Sequence, residues 1–164
     1  MTWSLIAKNP EDGAIAVIVA SRFFACGAVV PFVGPTVAVA SQAFCNPVWG
    51  TEGRRRMPAG ESAQAVLADF ALRDQGQAIR QAHMMDAEGR FVAHTGADCV
   101  DWAGHLLAED HSVAGNMLTG PEVKSLRNGQ GVLTEAYGRI KRGEVWLFNM
   151  EIGHYQPAFH VEQL

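Results

Sequence analysis

Residues 2–21, TWSLIAKNPEDGAIAVIVAS, hold two apolar, β-branched stretches, 2–8 and 14–21, on either side of Asn9, Pro10, Glu11, Asp12 and Gly13. Asn, Pro, Asp and Gly supply the left-handed and φ-locked positions that reverse a chain, so the segment reads as an antiparallel hairpin. The second stretch is apolar at nearly every position rather than at alternate ones, which predicts a strand covered on both faces, at the centre of a layered sheet.

Outward from the hairpin, residues 36–43 repeat the strand pattern. After Asn46-Pro47 and the run Arg54, Arg55, Arg56, residues 61–74 carry apolar side chains at 63, 66, 67, 70 and 71. That is the spacing of one helix face, and Gly60 and Gly76 punctuate its ends. Residues 80–86 and 90–94 read as two strands around the turn Ala87-Glu88-Gly89, and 112–118 as another. Gly120-Pro121-Glu122 reads as a helix start, with proline in the first turn. Beyond Lys124, Asn128-Gly129 and Gly131 interrupt any helix, and 145–150 (VWLFNM) reads as a last strand. No repeat, low-complexity linker or boundary divides the chain. The order β-β-β-α-β-β-β-α predicts one α+β domain over 1–164, with helices covering antiparallel sheet.

A chain of 164 residues is long enough to bury a core without metal or disulfide. Its 17 Asp and Glu against 13 Lys and Arg, with no basic stripe beyond Arg54, Arg55 and Arg56, predict no nucleic-acid partner. The charge-free run 23–51 is broken by Pro31, Gly34, Pro35, Ser41, Gln42 and Pro47, and reads as two buried strands rather than a membrane span. Lys8, Glu11 and Asp12 interrupt the N-terminal apolar stretch, against a signal peptide. Cys26, Cys45 and Cys99, odd in number and unrelated in spacing, read as reduced, mostly buried thiols of a cytoplasmic protein.

Four blocks, TWSLIAKNPEDGAIAVIVASRFFACGAVVP (2–31), SQAFCNPVWG (41–50), HTGADCVDWAGH (94–105) and GNMLTGPEV (115–123), resemble in order and spacing the prokaryotic family known as domain of unknown function 1028. The resemblance covers about residues 2–124. It implies an Ntn-hydrolase-like αββα sandwich, antiparallel sheets flanked by helices, with a processed N-terminal Thr, Ser or Cys at a strand end. The family continues past the last block with a long helix and two strands that 125–164 does not match. The sandwich is therefore expected to be incomplete at the C-terminus, its open edges favouring a homo-oligomer.

On that resemblance Thr2 is the catalytic candidate. Removal of Met1 would give it a free α-amine, with an ordinary pKa of about 7.7 to 8.0, to act as general base for its own hydroxyl. Backbone amides near Gly115 and Asn116, and the Asn116 amide, are candidate oxyanion donors. Ser21 and Arg22 end the second strand, where the hairpin brings them near Thr2, and Arg22 suits a substrate carboxylate. Gln42 and Asn46 offer hydrogen bonds to a ligand or caps to a turn. His94 and His105 complete the substrate-binding candidates, and the Trp102 to His105 block (WAGH) reads as pocket wall or core. Two features depart from proteasome-like enzymes: Ala20, not an acid, precedes Ser21-Arg22, and no lysine lies between Lys8 and Lys124.

His94, Cys99, His105 and His111 follow the spacing H-x4-C-x5-H-x5-H, with Asp101 among them, and match no common zinc pattern, so neither metal nor cofactor is expected. The function expected is hydrolysis of an amide bond in a small or peptide-like substrate. The alternative is a catalytically silent module that binds a small molecule or assembles; a metal-dependent hydrolase ranks third. No membrane partner is expected.

Overall fold

The computed structural model describes residues 1–100 and 102–118, together with four short strands between residues 131 and 152. It divides into two compact units, Met1–Met117 and Leu118–Leu164.

The first unit runs β1 (Thr2–Lys8), β2 (Ile15–Ser21), α1 (Cys26–Val29), β3 (Pro31–Val33), β4 (Ala38–Ala43), α2 (Pro47–Arg56), α3 (Ala63–Arg73), β5 (Arg80–Met85), β6 (Phe91–Thr95), β7 (Gly104–Leu107) and β8 (His111–Asn116). It is α+β, with two four-stranded antiparallel sheets ordered β2-β1-β8-β7 and β3-β4-β5-β6. The period of two along each strand sorts its side chains to opposite faces. Ile6 of β1 packs with Ala38, Ala40 and Met85 of the second sheet, joined by Ile15, Val17 and Val19 of β2. The alternate residues Val39, Ala82 and Met84 face the other way and bury Trp49 of α2 and Val66, Leu67 and Phe70 of α3. The layers are thus sheet, sheet, helices.

The hairpin, α3 and the strands near 80, 90 and 112 form where the residue pattern put them. Three expectations change. First, β2 is an edge strand, and Ile18 on its outer face is 41% exposed, so this apolar strand is covered on one side only. Second, residues 47–56 form a helix where a turn and an arginine run were expected. Asn46 caps it, its side chain accepting from the Val48 amide at 3.0 Å, and Pro47 opens the first turn. Gly50 and Gly53, poor helix formers, obscure it. Both allow close packing: a Cβ on Gly50 would lie 2.0 Å from the Phe32 ring. Third, the cysteines, expected to be mostly buried, are only half-buried. Among the described residues no helix is long and apolar enough to cross a membrane.

Asn46 also donates to Asp74 at 2.8 Å, tying α2 to the end of α3. Asn46→Ala is expected to cost about 1–2 kcal/mol, read as a lower urea midpoint at unchanged m.

In the second unit β10 (Tyr137–Lys141) pairs with β11 (Glu144–Phe148), and β9 (Gly131–Val132) with β12 (Glu151–Ile152), both antiparallel. The strand expected at 145–150 corresponds to β11; the helix start expected at 120–122 lies outside the described residues.

Candidate functional site

Thr2 opens β1 and pairs with Ser21 of β2 on one side and Asn116 of β8 on the other. All three side chains fall on the face turned toward the second sheet. There they border a cavity of about 400 Å³, together with Arg22, Gln42, Cys45 and Cys99. The Thr2 hydroxyl lies 2.8 Å from the Ser21 hydroxyl. Ser21 also donates to the Met1 carbonyl at 3.3 Å, and the Arg22 amide donates to the same oxygen at 3.4 Å. The carbonyl attached to the Thr2 nitrogen thus already rests on two donors. Ala43 and Met117, just past Gln42 and Asn116, are left-handed non-glycine residues at φ 63° and 55°. Such conformations cost on the order of 1 kcal/mol, and both border the cavity.

Behind the cavity a row of buried polar side chains runs between the sheets. Ser4 donates to Gln42 Oε1 at 2.6 Å, so the contact of its Oγ with His83 Nε2, 2.7 Å away, has the ring as donor. His83 is then the Nε2–H tautomer, and its Nδ1 accepts from Ser112 at 2.7 Å. Gln42 Nε2 donates to Gln81 Oε1 at 2.7 Å, and Asn116 Nδ2 donates to the same oxygen at 3.0 Å. The Gln81 amide faces Thr95 Oγ1 and the carbonyls of Gly104 and Gly115, each within 3.0 Å. Gln42 and Asn116 therefore reach the cavity from a fixed scaffold. Asn116 keeps a second N–H outside this row.

Burial, helped by the positive charge that His105 can carry, pushes His83 down to about 3 from its ordinary 6.5. The folded state thus refuses a proton that the unfolded chain accepts. Stability is full above pH 6.5 and falls as pH drops toward 3. In His83→Gln, urea unfolding followed between pH 7 and pH 4 is expected to show a shallower decline, whatever the baseline loss.

The remaining candidates lie elsewhere. Asn46 is a helix cap, as described. His94 is on the helix-facing side of β6, bonded to the Gln77 carbonyl at 2.9 Å and edge-on to Trp49. His105 sits on the edge strand β7, bonded to Thr95 at 2.8 Å. None of these three borders the cavity. His111 pairs with Asp110, and Cys99 donates to the Arg80 carbonyl. Asp101 lies outside the described residues. Among those described, no three His, Cys, Asp or Glu side chains converge as metal ligands. Gln81, His83 and Ser112 escaped the sequence reading. Their signal was polar side chains at alternate positions of otherwise apolar strands, 81 and 83 in one and Ser4 in another.

The model of the family of unknown function DUF1028 matches residues 2–128, and the SmpB protein family model matches residues 105–163. The two overlap over 105–128. A crystal structure of a DUF1028-family protein from Silicibacter pomeroyi superposes with a TM-score of 0.70 at 28% identity, over 77% of this chain and 60% of that one. Curated relatives include the SsrA-binding protein of Afipia carboxidovorans, 52% identical over 50 residues, covering 30% of this chain and 32% of that protein. That of Gluconobacter oxydans is 58% identical over 43 residues, 26% of each. The chain spans a third or less of these curated relatives. Their match overturns the expectation of no nucleic-acid partner. The whole-chain charge count averaged away a local excess: residues 124–142 hold Lys124, Arg127, Arg139, Lys141 and Arg142 against Glu135 alone. With a matching model over residues 2–128 and a solved relative of the same family, the chain belongs to the DUF1028 family.

Proposed function

We propose that the first unit is an Ntn-hydrolase-like body that cleaves an amide bond at Thr2. The observation that carries this reading is the Thr2 hydroxyl at a cavity, 2.8 Å from the Ser21 hydroxyl, on a strand start whose preceding carbonyl rests on two donors. Once Met1 is removed, the Thr2 amine takes the hydroxyl proton and Oγ1 attacks the substrate carbonyl. The proton passes to the leaving amine, and water then cleaves the Thr2 ester. The Ser21 hydroxyl and Arg22 amide, released from Met1, and the second Asn116 N–H are donors suited to the oxyanion. The setting is cytoplasmic, and the open sheet edges favour a homo-oligomer. The test is intact mass of the cellular protein beside hydrolysis of a panel of small amides. Loss of Met1 with turnover is expected; retained Met1, or no turnover in Met1-free protein, leaves a silent binding module.

A second reading concerns residues 105–163, whose SmpB match supports binding of SsrA RNA. Arg139 and Lys141 on β10 belong to the basic run that would meet phosphates. Fluorescence anisotropy of labelled SsrA RNA with the full chain is expected to show binding that weakens as salt rises. Binding no tighter than to an unrelated RNA of equal length would remove this reading.

A further inference from the structure

From the lining of the Thr2 cavity we infer its ligand class: an amide that joins an apolar acyl chain to a carboxylate-bearing amine, an N-acyl amino acid. The inference rests on the hydrolase reading for turnover but on the cavity alone for binding. Among the described residues Arg22 is the one charged side chain in that lining, which includes no Asp or Glu. Among the described residues no ion pair engages its guanidinium, nor those of Arg54 and Arg55 on α2, whereas Arg56, Arg73, Arg80 and Arg90 all have carboxylate partners. An unmatched guanidinium beside a cavity whose described lining holds no carboxylate selects a carboxylate ligand, which it holds in a fork of parallel N–H donors.

Around the same opening Phe23, Phe44, Val100 and Met117 are each between 50% and 62% exposed. Large apolar side chains grouped at the mouth of a cavity mark a surface that a ligand covers. Val30 and Ile79 continue that apolar wall inward. Gln42 and Asn116, fixed by Gln81, add hydrogen-bonding groups for the amide to the same lining. A carboxylate, an amide and an alkyl chain thus each meet a matching part of one cavity. Hydrolysis of such a ligand breaks its C–N bond, moves the acyl group to Thr2 Oγ1 as an ester, and hands the hydroxyl proton through the Thr2 amine to the departing amino acid. Water then releases the fatty acid.

Calorimetry on the full chain, as wild type and as Thr2→Ala, tests this with N-octanoylglycine, N-octanoylglycinamide and N-butanoylglycine. The acid is expected to bind about tenfold or more tighter than its carboxamide, the difference made by a charge-assisted pair. Shortening the chain is expected to weaken binding by roughly two- to fourfold per methylene. Arg22→Gln erases the preference for the acid and keeps the chain-length dependence. Equal binding of acid and carboxamide, or binding of neither, overturns the inference. Carboxylate-selective binding without hydrolysis by Met1-free wild type refutes Thr2 catalysis and leaves the ligand class standing. Hydrolysis of octanoylglycinamide as efficient as that of octanoylglycine does the reverse.

Discussion

Thr2→Ala is expected to lower amide hydrolysis by on the order of 10⁴-fold or more, because the residue supplies both nucleophile and base site and nothing in the cavity replaces its hydroxyl. Ser21, the nearest hydroxyl, accepts from the Phe23 amide at 3.0 Å and in the proposed site serves as a donor to the oxyanion rather than as a nucleophile. The fold should be unaffected: Thr2 is half-buried at a strand end, and among the described residues its hydroxyl hydrogen-bonds to Ser21 alone. Thermal unfolding of variant and wild type should then agree within a few degrees. A second variant isolates the amine. An uncleavable N-terminal tag leaves the hydroxyl in place but turns the amine into an amide nitrogen, and should abolish turnover equally. Activity persisting in either protein would move the chemistry away from Thr2.

The second large effect is on stability. Gln81→Met keeps the volume of the side chain and removes its amide, orphaning donors on Gln42 and Asn116 and leaving the Gly104 and Gly115 carbonyls without that partner. A buried polar group deprived of its partner costs about 1–3 kcal/mol, so the variant should lose roughly 3–5 kcal/mol in urea unfolding. Turnover in the surviving folded fraction should fall as well, since Asn116 loses its anchor. A loss below about 1 kcal/mol would mean that water fills in for the amide and that the row is not rigid.

Local chemistry made the Thr2 neighbourhood legible. The hairpin turn sets the β1–β2 register, and that register alone sets Ser21 opposite Thr2 and Arg22 one step beyond. Asn116 reaches the same place only through pairing of β1 with β8, more than a hundred residues apart in sequence, which periodicity does not reveal. Asn46 and His94 carried donor chemistry, but a helix cap and a helix-facing strand position claimed them. The helix at 47–56 was hidden because Gly50 and Gly53 serve tight packing against the sheet rather than helix propensity. The basic excess of 124–142 vanished into a whole-chain sum that is net acidic.

The row from Ser112 through His83, Ser4 and Gln42 to Gln81 also acts as a vernier on strand alignment. Sliding β1 by one residue would bring Leu5 against His83 and Gln42, leaving a dry imidazole and carboxamide with no one to bond, while Ser4 turned to the outer face. An extra residue in the Pro10 to Gly13 loop leaves that alignment intact; the same insertion between Trp3 and Ile6 would shift one end of the strand out of phase. Lineages of this protein should therefore vary in the length of that loop and hold the spacing from Thr2 to Ile6 fixed.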